Sequence, residues 1–377
     1  YLDMFSKNLE SRGVKVHWAK DAQEFNEIVL GILKDHNVKK MVKSKSMLTE
    51  ECEMNPYLEQ HGIDVVETDL GERIIQLLGQ KPSHIVMPAI HLKREEVGKM
   101  FEEKGISKEI GNYDPTYLTR CARHHLRDQF MEAGAGMTGC NFGVAATGDC
   151  VVCTNEGNAD MTTSMPKLHI VAMGIEKLVP DYKSLAVFQR LLCRCGTGQP
   201  TTAFTSHFRQ ARPGAEMHVV LVDNGRSDIL ADKEHWQTLK CMRCGACMNT
   251  CPVYRRSGGY SYTYFIPGPI GVNLGMLKNP QKYSDNVSAC TLCLSCDNVC
   301  PSKVGPGSQI YAWRQSLDKL GKADPVKKTM SNGMKYLFDR PALYTTALKF
   351  APLVNLVPEC CTHFSNWNAW GIGHAMP

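Results

Sequence analysis

The stretch CMRCGACMNTCPVY at residues 241–254 places four cysteines and a proline in one short run, and CTLCLSCDNVCP at 290–301 repeats the arrangement. Each run has the spacing C-x2-C-x2-C-x3-C-P. Thiolates separated by two residues let one tight backbone loop hold three corners of a four-iron cluster, as in bacterial two-cluster ferredoxins. The two runs therefore predict two [4Fe-4S] clusters. Structural zinc is the alternative, but zinc sites use pairs of C-x2-C, and these runs contain more cysteines than such a site needs.

The fourth cysteine of each run precedes a proline, which lacks an N–H and disfavours helix at the residue before it. The chain therefore turns off the cluster, and the fourth thiolate points away from its own loop. In two-cluster ferredoxins this thiolate binds the neighbouring cluster. We predict one cluster on Cys241, Cys244, Cys247 and Cys300, and the other on Cys290, Cys293, Cys296 and Cys251.

The composition is that of an ordinary globular protein of 377 residues, long enough for two or three domains. Its 17 cysteines, without a secretion signal, indicate metal in a reducing compartment rather than a disulfide scaffold. No apolar run is long enough to span a membrane. The net charge of +5 moves towards neutrality once eight thiolates and two cluster cores are counted, and no Lys/Arg block indicates nucleic acid. We expect a cytoplasmic protein, with peripheral attachment to a membrane through partners as the open alternative.

Residues 1–230 alternate short apolar runs with helical stretches, which predicts an α/β domain with a mixed sheet. Strands are predicted at KKMVKS (39–44), IDVVET (63–68), HIVMPAI (84–90), HIVAMG (169–174) and MHVVLVDNG (217–225), with a hairpin around Gly148-Asp149. Helices are predicted at MLTEECEMNPYLEQHG (47–62), after Asp69, and from Asp114-Pro115 to Glu132. Cysteine motifs and short helices follow. We predict three regions: 1–230, the cluster region 231–320, and a helical extension 321–377.

Several polar loops are candidate binding sites. KSKS, comprising Lys43, Ser44, Lys45 and Ser46, places two cations and two hydroxyls at a strand end, where α/β folds bind anions. A solvated basic turn is the alternative. TNEGNAD (154–160) and GTGQPTT (196–202) offer backbone N–H groups to an anion, although turn chemistry explains them equally well. The same two interpretations, functional or solvated, apply to the helix face with Arg120, Arg123, His124 and Arg127, and His91 is either a ligand or a structural histidine.

Two other patterns do not predict a site. GAGMTG (134–139) matches G-x-G-x-x-G, but a helix precedes it and a hairpin follows, so we expect no NAD or FAD site there. The nine cysteines outside the two runs are interpreted as free thiols. Cys150 and Cys153 splay apart on a strand, whereas Cys193 with Cys195 and Cys360 with Cys361 lack partners at ligand spacing.

Several long motifs resemble the lactate-utilisation protein B family, the iron–sulfur subunit of a three-protein bacterial L-lactate oxidation system. They are VHWAKDAQE, VKSKSMLTEE, VETDLGERIIQLLGQKPSHIVMPAIH, TGCNFGVAATG, TNEGNADMTTSMPKLHIVAMGIEKLVP, VDNGRS and CMRCGACMNTCPVYRRSGGYSYTYFIPGPIG, and the likeness covers nearly the whole chain. The resemblance implies an N-terminal LUD domain, similar to the sugar-phosphate isomerase and CoA-transferase group, and a C-terminal α-helical ferredoxin-like domain. The cysteines of CRCGTGQP (193–200) depart from the family pattern, so a substrate role for that loop is not carried over.

The resemblance also implies two partners, a Cys-rich subunit similar to heterodisulfide-reductase components and a second LUD-domain protein. Two functions follow. In the first, the chain is an electron-transfer subunit of a complex that oxidises L-lactate to pyruvate. In the second, the LUD domain itself carries the substrate chemistry. A third possibility is a related complex that oxidises another 2-hydroxy acid such as glycolate. The cysteine runs support electron transfer, and lactate enters only through the resemblance.

Overall fold

Ten strands form two sheets in the computed structural model, which describes residues 1–317, 319–321 and 325–350. The strands are β1 Lys15–Ala19, β2 Lys40–Lys43, β3 Asp64–Glu67, β4 Ala135–Gly139, β5 Phe142–Val144, β6 Asp149–Thr154, β7 Leu168–Gly174, β8 Leu178–Val179, β9 Phe204–Phe208 and β10 Glu216–Val222. Six are wholly parallel, in the order β1-β10-β7-β4-β2-β3. The other four form a mixed sheet, β8-β5-β6-β9. The predicted α/β class is confirmed.

Helices surround these sheets and continue into the C-terminal part. Those of the α/β part are α1 Leu2–Glu10, α2 Ala22–Asp35, α3 Met47–Glu51, α4 Met54–Gln60, α5 Leu70–Leu78, α6 Arg94–Glu103, α7 Pro115–Glu132, α8 Asn158–Ser164, α9 Tyr182–Thr197 and α10 Arg226–Ala231. Those that follow are α11 Ala246–Thr250, α12 Pro252–Ser257, α13 Gly268–Lys278, α14 Pro280–Tyr283, α15 Asp285–Ser288, α16 Ser295–Val299, α17 Pro306–Leu317, α18 Pro325–Phe338 and α19 Pro341–Phe350.

The parallel sheet is covered on both faces. Along β10, Val220 and Val222 pack into one core with helix α2, whereas Val219 and Leu221 pack into a second core with helix α1. This follows from the two-residue repeat of a strand, which sends alternate side chains to opposite faces. Each such fully buried aliphatic side chain contributes about 1.5–3 kcal/mol to stability. Because all six strands are parallel, their carboxyl ends meet at one edge of the sheet.

Most predicted elements are confirmed. The strands predicted at 39–44, 63–68, 169–174 and 217–225 are β2, β3, β7 and β10. Asp69 and Asp114 cap helices α5 and α7 by accepting from backbone N–H groups three residues on, and β5 and β6 form the predicted hairpin. GAGMTG lies largely within the buried strand β4, where a Cβ at Gly136 would stand 1.8 Å from the backbone oxygen of Thr162.

Two element predictions are wrong. Residues 84–90 form turns rather than a strand, because the Nδ1 atom of His84 accepts from the backbone N–H groups of Val86 and Met87, at 3.0 and 3.1 Å. Pro88 also lacks the N–H that a strand would need. Residues 47–62 form two helices instead of one, since Glu53 adopts a left-handed backbone conformation (φ 51°) between α3 and α4.

The cysteine region packs on the turn at 83–90. Ile85 lies in one apolar cluster with Met248 and Tyr254, and the Tyr254 hydroxyl donates to the Ser83 carbonyl at 2.7 Å. A Cβ at Gly259 would stand 2.1 Å from the same carbonyl oxygen, so only glycine permits this approach. The turn therefore joins the α/β part to the cysteine region.

The chain divides into two compact units, Tyr1–Gln315 and Ser316–Pro377. The α/β part and the cysteine region belong to the first. In the second, Phe338 and Tyr344 of helices α18 and α19 make an edge-to-face contact at 5.5 Å. The boundaries predicted at 230 and 320 stay predictions, and Cys360 and Cys361 lie outside the described residues. Within the described ranges, we find no helix with the length and apolar character that crossing a membrane requires.

Candidate functional site

A cavity of about 390 Å³ lies at the carboxyl edge of the parallel sheet. Its wall includes residues that follow β2, β3, β4, β7 and β10. In α/β folds, ligands bind at this edge of the sheet, where the carboxyl ends of the strands lie. Both polar loops singled out in the sequence, 154–160 and 196–202, also line it. The opposite wall is the first cysteine loop, through Met242, Arg243 and Cys244. The cavity therefore lies between the α/β part and Cys244, which is a predicted cluster ligand.

The structure divides the KSKS motif between two roles. Lys45 and Ser46 line the cavity, and the Lys45 ammonium donates to the Val86 carbonyl at 3.0 Å. Lys43 is fully buried, with its Nζ atom 2.6 Å from Glu67 and 2.9 Å from the Thr49 hydroxyl. Burial alone would lower the pKa of Lys43, but the carboxylates of Glu67 and Glu50 outweigh burial and raise it. As a correction, Lys43 is a paired core cation rather than a free anion ligand or a solvated turn.

Carboxyl groups beside Lys45 have raised pKa values. Burial raises the pKa of Glu72, which lies 3.5 Å from the Lys45 ammonium, to about 8. Partial desolvation on the cavity wall, aided by the charge of Asp69, raises the pKa of Glu156 to about 7, although part of this side chain is exposed. Such carboxyl groups exchange protons near neutral pH and are candidates for acid–base work.

A buried ion network that the sequence interpretation missed forms another part of the wall. Arg226 makes a bidentate pair with Glu51, at 2.9 and 3.0 Å, and its Nε atom lies 2.5 Å from Glu176. Burial alone would raise the pKa of Glu176, but Arg226, Lys177 and Arg243 outweigh it and lower the pKa to about 2. Arg226 belongs to the motif VDNGRS, which entered the sequence interpretation only through the family resemblance. Spacing along the chain does not show that this arginine contacts Glu51, 175 positions away, and Glu176, 50 positions away.

Arg243 is the least satisfied cation of the cavity. It lies between Cys241 and Cys244, in a left-handed backbone conformation with φ 63°. Its Nη1 atom is buried and has no hydrogen-bond partner among the described residues. A buried, unpaired guanidinium N–H is costly unless an acceptor reaches it. Arg243 lines this cavity and a neighbouring one, and an anion is the kind of ligand that such a group binds.

The two cysteine loops have the same backbone shape. Arg243 and Leu292 are left-handed at equivalent positions, and so are Gly245 and Leu294. The short helices α11 and α16 follow, each carrying the third cysteine of its run, and they pack on each other. The fourth cysteines, Cys251 and Cys300, are both extended, with ψ values of 118° and 112°, and the proline after Cys251 begins α12. The sequence repeat is thus a structural repeat.

Cys244 and Cys296 each have the fourth cysteine of the other run among their neighbours. Burial raises the pKa of Cys296 to about 12, and nearby Asp297, Cys290 and Cys251 add to the shift. Burial likewise raises the pKa of Cys244 to about 11, with added contributions from Cys241, Cys195 and Cys300. Cys251 therefore neighbours the second loop, and Cys300 neighbours the first.

The described cysteines do not converge as tightly as a single zinc ion would hold them. Four sulfurs around one zinc ion at about 2.3 Å would stand within about 4 Å of one another. Among the described residues, no three cysteines bring their sulfurs within 4.8 Å of one another. A four-iron cube needs wider spacing, because the cube itself lies between the sulfurs. Backbone N–H groups also donate to three of the sulfurs: Val304 to Cys300 at 3.3 Å, Leu292 to Cys290 at 3.4 Å, and Tyr254 to Cys251 at 3.5 Å.

Most of the remaining candidates lie away from the cavity. Arg120, Arg123, His124 and Arg127 are exposed on α7, as a solvated face would be. His91 is exposed, and its Nε2 atom lies 3.0 Å from both Gln80 and the Tyr260 hydroxyl. Cys150 and Cys153 pack into different apolar clusters, as expected for side chains on opposite faces of a strand. Cys153 also lines the cavity, and so does Cys193.

Comparison with known proteins identifies the class. The profile of the LUD domain family matches residues 2–227, and the profile of the 4Fe-4S dicluster domain matches residues 237–304. This is an iron–sulfur protein with an LUD domain. A crystal structure of a DUF162 family protein from Deinococcus radiodurans is similar at a TM-score of 0.33 and 12% identity, over 59% of this chain and 95% of that chain.

Curated relatives place the chain more closely. Lactate utilization protein B of Bacillus cytotoxicus is 42% identical over 94% of this chain and 76% of its own length. The proteins of the same name from Oceanobacillus iheyensis and Geobacillus thermodenitrificans are each 41% identical to this chain. Each match covers 93% of this chain, together with 74% of the Oceanobacillus protein and 75% of the Geobacillus protein. The chain belongs to the lactate utilization protein B family, which confirms the resemblance found in the sequence.

Proposed function

We propose that this chain is the electron-transfer subunit of a complex that oxidises L-lactate to pyruvate, and that the electrons pass through two [4Fe-4S] clusters. The observation that carries the proposal is the pair of cysteine loops with one backbone shape, lying side by side, with each fourth cysteine beside the other loop. The curated relatives, which are named for lactate utilisation, supply the substrate.

The chemistry matches two one-electron carriers. Oxidation of L-lactate to pyruvate releases two electrons and two protons. A [4Fe-4S] cluster, when bound, accepts and passes on one electron. Apolar side chains such as Ile270 and Met248 pack against four of the eight cysteines, and backbone N–H groups donate to Cys300 and Cys290. The four packed cysteines are Cys241, Cys247, Cys251 and Cys300. Such hydrogen bonds and burial adjust the reduction potential.

The cavity favours a second role, in which the LUD domain itself binds the substrate. Lys45, Ser46 and Arg243 present donors to one space, and Cys244 lies on its wall. A 2-hydroxy carboxylate offers an anion to these cations, and Glu156 offers a group that exchanges protons near neutral pH. In this role, lactate or another 2-hydroxy acid such as glycolate lies next to the first cluster.

We also propose that partners complete the complex, namely a Cys-rich subunit similar to heterodisulfide-reductase components and a second LUD-domain subunit. The first role needs these partners for any lactate oxidation. The second role needs them only to accept electrons from the clusters.

Anaerobic purification tests the two roles directly. We expect about eight irons per chain, because eight cysteines are arranged for two four-iron cubes. If the chain is only a relay, L-lactate alone leaves the clusters oxidised, and adding the two partners leads to their reduction. Reduction by lactate without partners would favour the second role. Stoichiometric zinc without sulfide would overturn the proposal.

Single variants test the cavity. Arg243→Gln and Lys45→Met should each raise the lactate concentration needed for half-maximal activity of the assembled complex by at least tenfold, because each removes a cation that faces the cavity. Arg255→Gln is the matched control, since Arg255 also follows a cluster cysteine but is exposed on α12. Unchanged kinetics in both cavity variants, with full iron content, would exclude the cavity as the substrate site.

A further inference from the structure

Three metal-ligating side chains meet at the amino-terminal edge of the parallel sheet, opposite the cavity. His36 follows helix α2, Glu216 begins β10, and His218 lies two residues further along β10. One ligand atom from each lies within 4.8 Å of the other two. Among the described residues, no other group of three or more His, Cys, Asp or Glu side chains converges this closely.

The carboxylate of Glu216 lies between the two imidazoles. Its Oε1 atom is 2.6 Å from the Nε2 atom of His218, and its Oε2 atom is 3.5 Å from the Nε2 atom of His36. The His36 and His218 rings are edge-to-face with centroids 5.9 Å apart. Both imidazoles thus present the same ring nitrogen to one carboxylate.

The outer nitrogen of each imidazole is already bonded. The Nδ1 atom of His36 lies 2.8 Å from the Ile32 carbonyl, which can only accept, so Nδ1 carries the proton. The Nε2 atom of His36 is therefore the ring nitrogen that faces Glu216. The Nδ1 atom of His218 lies 3.0 Å from the Nε2 atom of His17, whose ring stacks in parallel. Metal-binding histidines are oriented by such outer hydrogen bonds.

The separation of the ligand atoms suits a metal ion. The Nε2 atom of His36 and the Oε2 atom of Glu216 face each other across 3.5 Å, which is longer than a normal hydrogen bond. Two ligand atoms that each lie about 2.0–2.1 Å from one zinc ion stand at a similar separation.

We propose that His36, Glu216 and His218 bind a divalent transition-metal ion of the zinc class, with a further position open to water. Two imidazoles and one carboxylate form a ligand set that zinc uses in proteins. The site joins the end of α2 to the start of β10, and it shares no residue with the cavity or the cysteine loops. A test of metal binding at this site is therefore independent of the proposed electron-transfer function.

Lys15 competes with the metal. Its ammonium forms an ion pair with the same Oε1 atom of Glu216 that faces His218. Lys15→Met should therefore strengthen metal binding, because it frees that oxygen and removes a positive charge. A purely structural hydrogen-bond network would not gain metal affinity from this change.

The test is a Zn²⁺ titration of the full, cluster-loaded chain by isothermal calorimetry at pH 7.5, after chelator treatment and gel filtration, with cluster absorbance recorded throughout. We expect one site that is weakened at least tenfold in His36→Ala and in Glu216→Gln, and tightened in Lys15→Met. His61→Ala is the matched control. His61 also ends a helix with its Nδ1 atom 2.7 Å from a carbonyl four residues earlier, but no described carboxylate lies within 4 Å of it.

X-ray absorption at the zinc edge completes the test. Nitrogen and oxygen neighbours near 2.0–2.1 Å, lost in His36→Ala but kept in His61→Ala, support the site. Sulfur neighbours near 2.3 Å would show that zinc binds the cysteines, and this result would overturn the proposal. No binding, or equal binding by His36→Ala and wild type, would also overturn it.

Discussion

Lys43 and Lys45 show how two like residues in one motif take different roles. Lys43 is the last residue of β2 and lies inside the protein, enclosed by Glu67, Glu50 and Thr49. Lys45 lies beyond the strand and reaches the cavity. A buried cation needs a paired carboxylate because desolvation penalises its charge. Lys43 therefore contributes to stability, and Lys45 is the residue available to a ligand.

Lys43→Met should destabilise the protein by about 3–5 kcal/mol, because it leaves the buried Glu67 carboxylate without its cation. Urea unfolding of the cluster-loaded chain, followed by far-ultraviolet circular dichroism, measures the loss. Lys39→Met, at an exposed lysine just before the same strand, is the control and should stay within about 0.5 kcal/mol of wild type. Equal stability of the two variants would contradict the structural role of Lys43.

Glu72 gives a pH dependence with a definite sign. Burial raises its pKa from 4.5 to about 8, so between these values the folded state binds more protons than the unfolded state. The free energy of unfolding contributed by Glu72 is therefore fully present below pH 4.5 and is lost as the pH rises towards 8, by at most about 1.4 kcal/mol per pH unit. Glu72→Gln should remove this slope.

The measurement is urea unfolding of wild type and Glu72→Gln at several values between pH 5.5 and 8, under anaerobic conditions. As the pH rises, the free energy of unfolding of wild type should fall steadily relative to that of Glu72→Gln. Glu103→Gln, at an exposed glutamate, should run parallel to wild type. If the free energy of unfolding of Glu72→Gln changed with pH in parallel with that of wild type, the pKa of Glu72 would not be raised in the folded protein.

At the scale of elements, the cysteine loops depend on local geometry that the sequence repeats. Left-handed residues at equivalent positions turn each loop, and a short helix carries the third cysteine. The extended fourth cysteine then leads into a proline. The two helices pack on each other, which places each fourth thiol beside the other loop. On this basis, we predict that the two runs exchange their fourth ligands.

Cys300→Ser should damage the cluster built on Cys241, Cys244 and Cys247, because a serine oxygen is a poorer ligand for that iron. EPR spectra should show a three-iron or labile cluster at the first site, resembling Cys244→Ser. The second cluster should stay intact, since Cys251 still completes it.

Cys251→Ser is the matched control and should damage the second cluster instead. Both fourth cysteines have the same backbone conformation, so a general loss of folding should affect the two variants equally. If Cys300→Ser resembled Cys293→Ser, each run would complete its own cluster and the exchanged assignment would be wrong.

At the scale of the whole molecule, the α/β part and the cysteine region share one compact unit. The turn at 83–90 packs on α12, and the first cysteine loop forms a wall of the cavity. Groups bound by the cysteines are thus coupled to the sheet through Ile85, Tyr254 and Arg243. Cluster binding should stabilise the whole unit, because a group that binds only the folded state shifts the folding equilibrium.

Removal of iron should therefore lower the unfolding temperature of the α/β part as well as that of the cysteine region. Differential scanning calorimetry before and after anaerobic chelation tests this, with strand unfolding followed by infrared spectroscopy. The strands belong to the α/β part, so an unchanged strand transition after iron loss would show that the two parts unfold independently.

The sequence by itself determined the features that depend on local spacing. The cysteine runs, the capped helices α5 and α7, the hairpin of β5 and β6, and four of the six strands of the parallel sheet could be predicted, because each depends on residues close together in the chain. The strands β1 and β4 were not predicted. The family could also be predicted, since long motifs were sufficient to identify it.

Only the tertiary structure decided which distant residues meet. It buried Lys43 and left Lys45 on the cavity, joined Arg226 to Glu51 across 175 residues, and brought His36 to Glu216. It also replaced the predicted strand at 84–90 with a turn held by His84 against the cysteine region. These outcomes depend on desolvation and packing between elements, and a local pattern of residue types contains neither.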